Sequence, residues 1–149
     1  MKITLLQDES VIPTIAKWNQ DFWAKWLPEG SSKEGILFYK KCMISAHLPF
    51  SFVAYENETV IGTIAVIEAP TAVFLANFFV IEEKRKLGLG RALVKSSLEE
   101  ANKRGIHEVY TWTDNLKEWY QSLGFQVTNE TEHYGVPVAV LKITTDKGK

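Results

Sequence analysis

The sequence predicts an α/β fold in a single domain over residues 1–149: a mixed, mostly antiparallel twisted sheet of about seven strands flanked by about four helices. Three observations predict it. Residues 73–81 form an almost unbroken apolar run, rich in aromatic and β-branched residues, which reads as a strand buried on both faces. A helical pattern and then another strand follow it, the order of a parallel crossover. Pairs of strands joined by short polar turns stand before and after that unit and are antiparallel.

Residues 3–6 form a short first strand, closed at once by Gln7, Asp8 and Glu9. Ser10 is placed as an N-cap, with Pro13 in the first helical turn, where its missing N–H costs little. Ile15, Trp18, Phe22 and Trp26 recur at helical spacing, and Trp23 and Leu27 widen the apolar face. Pro28, Glu29 and Gly30 end that helix. Ser31 or Ser32 caps a second, which carries Leu37, Lys41 and Ile44 and ends near residues 47–49. Residues 52–55 and 60–67 pair as a hairpin around Glu56, Asn57 and Glu58, and Ala69-Pro70 turns the chain into the 73–81 strand. Leu93, Val94, Ser97, Leu98 and Ala101, spaced by three and four, build the next helix, which stops at Gly105. Residues 107–113 form a strand, residues 115–123 a short helix closed by Gly124, and residues 125–131 and 136–143 the last two strands. The polar tail, 144–149, is predicted to fray.

Composition narrows the function classes. The 149 residues are 46% hydrophobic and 23% charged, which is globular, and the net charge of −1 provides no field to draw nucleic acid or an anionic membrane. No apolar run approaches the roughly 20 residues of a membrane helix, and the N-terminal apolar snippet is too short for a signal peptide. Cys42 is alone, which excludes a disulfide framework and a thiolate metal site. His47, His107 and His133 lack metal-ligand spacing and read as structural. A cytoplasmic protein without a metal is expected.

The chemistry begins after residue 81. The chain turns polar and basic through Lys84, Arg85 and Lys86, and Gly88 and Gly90 precede the helix. Glycine lets the backbone take positive φ and approach a ligand. The first helical turn offers N–H groups without intrahelical partners, and the macrodipole favours an anion there. Arg85, Lys86 and Arg91 add cations suited to phosphate. A phosphate or pyrophosphate held by the backbone of Leu87, Gly88, Leu89, Gly90, Arg91 and Ala92 is the ligand this pattern predicts, with an ordinary surface turn as the alternative. No Gly-Lys-Ser/Thr ending occurs, so the Walker pattern is excluded. Leu93 stands where a dinucleotide fingerprint needs its third Gly or Ala.

The run Arg85-x-x-Gly88-x-Gly90, led by the apolar triplet Phe78-Phe79-Val80, resembles the acyl-CoA loop of the GNAT superfamily of N-acetyltransferases, written R/Q-x-x-G-x-G/A. Family members often carry Gly where Lys86 stands and an aromatic where Lys84 stands. A second motif, from Asn115 through Trp119-Tyr120-Gln121-Ser122-Leu123-Gly124-Phe125, is similar to the family's N-x-x-A-x-x-[FLW]-Y-x-x-x-G-[FWY], with Glu118 departing from the usual small residue. The resemblance covers roughly residues 50–128.

The resemblance implies acetyl-CoA entering where the sheet opens between its fourth and fifth strands, and acetyl transfer to a primary amine of a small molecule, peptide or protein. It implies cofactor contacts from Phe78, Phe79, Val80, residues 85–91, Asn115 and Tyr120, with the Val80 N–H serving the oxyanion. Tyr120 is the expected general acid, since a phenol with a pKa near 10 is protonated at neutral pH and can donate to a departing thiolate. Asn115 would hydrogen-bond the CoA, with helix capping as its alternative role. Glu68, at a strand end near the expected cleft, is the favoured base for the amine, with Asp114 and Glu82 behind it. Trp23 and Trp26, off the narrowest apolar stripe, are the expected acceptor contacts, while Trp18 and Phe22 read as core. A homodimer is compatible with the resemblance. A CoA-sensing module without chemistry, or a nucleotide-binding protein, are the rival readings.

Overall fold

The computed structural model describes residues 1–24 and 32–148. Its strands are β1 (Lys2–Leu5), β2 (Phe50–Glu56), β3 (Thr59–Glu68), β4 (Val73–Val80), β5 (Glu108–Thr113), β6 (Gln126–His133) and β7 (Val136–Thr144). The helices are α1 (Ile12–Ala24), α2 (Ser32–Ile44), α3 (Leu89–Lys103) and α4 (Lys117–Ser122). All seven strands join one sheet in the order β1-β2-β3-β4-β5-β7-β6. Every pairing is antiparallel except β4 with β5, the two strands joined by the α3 crossover. The predicted mixed, mostly antiparallel sheet with four flanking helices is the fold observed.

Period-two alternation assigns the two faces of the sheet. On β2, Phe52 and Ala54 join the cluster beneath α3 and α4, which includes Leu89, Leu93, Val94, Leu98, Ala101 and Tyr120. Val53 points the other way, into the cluster of Ile12, Ile15, Ala16, Tyr39 and Cys42 under α1 and α2. Helix α3 buries the stripe read from the sequence: Leu93, Val94, Ser97, Leu98 and Ala101, with Leu89 added at its start. It comes close to β3 because Gly62 leaves room; a Cβ there would stand 3.2 Å from Leu93 Cδ1.

Three local expectations are corrected. Asp8, not Ser10, provides the cap before α1: its carboxylate accepts from the Ser10 amide at 2.9 Å and the Ser10 hydroxyl at 2.7 Å. The 73–81 run is not buried on both faces. Only Leu75 and Val80 of β4 are buried, whereas β2 and β3 are the deeply buried strands, because one flank of β4 borders a cavity. The tail is tied down as far as Thr145, which is fully buried. Its amide donates to His107 O at 3.0 Å, and its hydroxyl reaches Ile106 O at 2.9 Å and Asn102 Oδ1 at 3.0 Å.

The sheet is joined at its centre by little. β4 and β5 share one register pair, Phe74 with Tyr110, near the start of both strands, and beyond it they part. A bulge falls on β4 beyond that pair. Thr63 pairs with Phe79 and Ala65 with Ala76, so Asn77 and Phe78 together stand opposite Ile64. Asn77 absorbs the bulge with φ at 52°. A bulge bends its strand and leaves the extra residue outside the ladder. Here it turns the end of β4 away from β5.

Candidate active site

A cavity of about 500 Å³ occupies the space where β4 and β5 part. Helix α1 contributes Trp18, Asn19 and Phe22, and β4 contributes Phe74 through Phe79. Thr111, Trp112 and Thr113 come from β5, Asp114 and Asn115 from the turn that follows, Tyr120 from α4, and His133 from the end of β6. They come from one face of α1, from β4 and β5 on either side of the gap, from the turn and helix that follow β5, and from the end of β6.

Tyr120 is buried yet reaches this space. Its ring packs edge-on against Trp119 and Phe125, at centroid distances of 5.0 and 5.2 Å. Burial pushes its phenol above the ordinary value of 10, and the Thr111 hydroxyl beside it offsets part of that rise. The group is therefore held in its protonated, proton-donating form. Thr113 braces the turn into α4: its Oγ1 accepts from the Leu116 amide at 2.9 Å and the Asn115 amide at 3.3 Å. The N-cap of α4 is Leu116, with no side-chain hydrogen bond, so the Asn115 side chain does not cap the helix; it is exposed and lines the cavity.

The glycine loop lies beyond the end of β4, outside the cavity lining. Gly88 takes φ of 85° and forms the N-cap of α3, with nothing within 4 Å of the place a Cβ would occupy. The first helical bond runs from Ala92 to Gly88 O at 3.1 Å. The amides of Leu89, Gly90 and Arg91 are thereby left without intrahelical acceptors, and the helix dipole adds to their attraction for an anion. The side chains of Lys86, Leu87 and Arg91 are exposed, while that of Leu89 is core, so Leu89 can offer a ligand only its backbone. Gly90 serves a second purpose. A Cβ on it would meet Phe78 Cζ at 3.1 Å and Trp119 Cζ2 at 3.4 Å, so this glycine lets α3 close over the stacked Phe78–Trp119 pair.

Arg85 holds the loop to the strand. Its Nε donates to Val80 O at 2.8 Å, and its guanidinium carbon stands 5.3 Å from the Phe79 ring centroid. Lys84 is engaged with Glu56 at the end of β2 at 2.7 Å. Lys86 sits at φ of 66°, in the left-handed region, at the position where family members often carry glycine.

The remaining sequence-based candidates divide. Phe78 and Phe79 line the cavity; Val80 is buried, with its carbonyl held by Arg85. Glu68 is exposed at the end of β3; its neighbours Ile67 and Ala69 line the cavity, but Glu68 does not. Glu82 is exposed in the turn after β4 and also lies outside the lining, whereas Asp114 is part of it. The Trp23 side chain and all of Trp26 lie outside the described residues. Trp18, expected in the core, does pack against the cluster under α1 and α2, and it also forms cavity wall on Phe79 at 4.9 Å; Phe22, expected there too, lines the cavity and is 42% exposed. A helix stripe facing a sheet also faces whatever gap the sheet contains.

Sequence reasoning missed His133, Trp112, Thr111 and Asn77. His133 stacks on Trp112 at 4.6 Å with 14° between the planes, and both line the cavity. Nothing local marks His133, since it arrives through the β6–β7 hairpin register, where it pairs with Val136. Asn77 stands by the wholly buried Tyr39 phenol without closing a hydrogen bond to it, and burial pushes that phenol well above its usual range.

A sheet split between parallel strands, a bulge beside the split and an anion-ready loop beyond it form an extended slot next to an anion seat. The family model of the Acetyltransferase (GNAT) family matches residues 12–125, and the chain belongs to that family. The match reaches further toward the N-terminus than the two motifs do. A curated relative, N-acetyltransferase family 8 member 3 of Rattus norvegicus, is 33% identical over 97 residues, which is 58% of this chain and 42% of the relative. The chain thus spans less than half the length of that relative. The solved structure of yncA from Salmonella typhimurium with its cofactor acetyl-CoA superposes at TM-score 0.80 with 17% identity, covering 98% of this chain and 95% of that one. An aminoglycoside 6'-N-acetyltransferase complexed with coenzyme A superposes at TM-score 0.74 with 18% identity, covering 97% of each chain. No helix among the described residues is long and apolar enough to cross a membrane.

Proposed function

We propose that this protein is an acetyl-CoA-dependent N-acetyltransferase acting on a primary amine, in the cytoplasm. The observation that carries the reading is the parting of β4 from β5 directly before a glycine loop whose first-turn amides lack intrahelical acceptors. An extended slot beside a loop suited to phosphates supports a cofactor of that shape.

Acetyl-CoA fits the groups present. The amides of Leu89, Gly90 and Arg91, with the exposed cations Lys86 and Arg91, suit a pyrophosphate. The Asn115 carboxamide, free of capping duty and lining the cavity, suits the amide-bearing arm of the cofactor. Bound there, the cofactor supplies an activated acetyl thioester. Tyr120 holds a proton on its phenol and is the donor to the sulfur that departs. Phe78 and Phe79 give the slot an apolar wall, with Trp119 stacked behind Phe78.

Thermal melting with acetyl-CoA, CoA, ATP and NAD tests the reading. A ligand at 100 times its Kd stabilises by about 2.7 kcal/mol, roughly 5–10 °C for a domain of this size. Both CoA forms should produce that shift and the two nucleotides should not. A chain indifferent to CoA, or stabilised by ATP or NAD instead, would overturn the proposal.

A further inference from the structure

The walls of the cavity carry information about the second substrate. Two aromatic pairs border it from either side of the opening: Trp18 on Phe79, from α1 and β4, and Trp112 on His133, from β5 and β6. The charge on the walls is sparse. Among the described lining residues Asp114 is the single carboxylate, and there is no lysine or arginine. Neutral side chains such as Asn19 and Asn77 supply the remaining polarity.

We infer that the acceptor is a primary monoamine borne on a flat apolar body, its ring against the Trp18–Phe79 and Trp112–His133 pairs and its ammonium beside Asp114. The inference rests on the acetyltransferase reading, which makes the occupant an amine, and adds the class of amine. Aromatic faces favour a flat ring and tolerate one cation close by. Each ammonium drawn into such a space needs its own anion, because an unpaired charge loses its hydration without recompense. One carboxylate matches one ammonium. A polyamine or an aminoglycoside brings several, and the described wall residues leave all but one unmatched. The aminoglycoside enzyme that shares this fold does so at 18% identity, so its acceptor does not carry over to this chain.

Tryptophan fluorescence titration tests this without turnover, because Trp18 and Trp112 are themselves wall residues. The full chain, with and without saturating CoA, would be titrated with 2-phenylethylamine, its uncharged analogue 2-phenylethanol, spermidine and kanamycin. The expected result is 2-phenylethylamine binding at least tenfold more tightly than spermidine or kanamycin. Asp114→Asn, at an exposed turn position, should weaken 2-phenylethylamine about tenfold and leave 2-phenylethanol unchanged. Trp112→Leu should weaken both ring compounds; if that variant misfolds, the Asp114→Asn comparison still decides. Spermidine or kanamycin binding as tightly as the monoamine, or an Asp114→Asn variant indistinguishable from the parent, overturns the inference. CoA melting on the same samples separates the two levels. Stabilisation by CoA with no binding of 2-phenylethylamine sinks the acceptor class alone. Binding of 2-phenylethylamine with no CoA effect sinks the acetyltransferase reading and upholds the cavity assignment, and failure of both sinks both.

Discussion

Tyr120 combines features that rarely coincide in a residue that only packs. It is buried, its phenol is pushed above 10 by that burial, and it still borders the cavity. Removing the hydroxyl alone should therefore separate chemistry from binding. Tyr120→Phe keeps the ring against Trp119 and Phe125, so the fold and the affinity for CoA should be preserved, while kcat falls about 100-fold, the lower end of what a positioned acid supplies. Steady-state kinetics with CoA titration would check this; a variant that loses CoA but turns over normally once loaded would make Tyr120 a binding residue. Tyr120 was legible because a motif surrounds it. Trp18 and Phe22 were legible as an apolar stripe but not as cavity wall, since helical period says which face turns inward and not whether a strand or a gap waits there. His133 was illegible: its place depends on a hairpin register across β6 and β7, and no spacing in the sequence encodes its meeting with Trp112.

At the scale of elements, the unit from β4 to α3 shows which signals travel. Its strand, its loop and its helix were readable from composition and period, and Gly88 does what the sequence implied by capping α3 at a positive φ. Gly90 has a reason the sequence could not disclose, because Phe78 and Trp119 come from distant segments and meet only over this helix turn. The two glycines should therefore respond differently to a methyl group. Gly88→Ala meets no atoms and is limited to the left-handed strain of roughly 1–2 kcal/mol. Gly90→Ala must push Phe78 or Trp119 aside, at about 1–3 kcal/mol, and should also disturb the slot between them and β5. Urea unfolding with CoA affinity measured in parallel would distinguish them: Gly90→Ala should weaken CoA binding through the displaced rings. Equal affinity in parent and Gly90→Ala would mean that the rings shift without altering the slot. The Arg85 bond to Val80 O belongs to the same unit. The sequence offered Arg85 as a phosphate ligand, while the structure also gives it the task of fixing where β4 ends.

For the whole molecule, the sheet is divided between one core under α3 and α4 and another under α1 and α2. The second core hides two acidic protons. Tyr39 is wholly buried, with its phenol pushed well above the usual range, and burial pushes the Cys42 thiol from 9.0 to about 12. With Tyr120 in the other core, three groups keep their protons in the folded chain at pH values where the unfolded chain releases them. When folding raises a pKa, the folded state binds more protons between the two values, and stability falls as pH rises. The contribution is thus complete only well below pH 9, where even the unfolded thiol is protonated, and it erodes as pH rises through that value. Cys42 alone should take away about 1.4 kcal/mol by pH 10, and the two phenols add to the slope beyond it. Denaturant midpoints measured from pH 8 to 10.5 should fall steeply above 9. In Cys42→Ala the fall should start nearer pH 10, from a lower plateau because the substitution leaves a small void. A midpoint that stays level to pH 10.5 in the parent chain would show that the thiol and the phenols are open to solvent, and that the α1–α2 layer does not seal this face of the sheet.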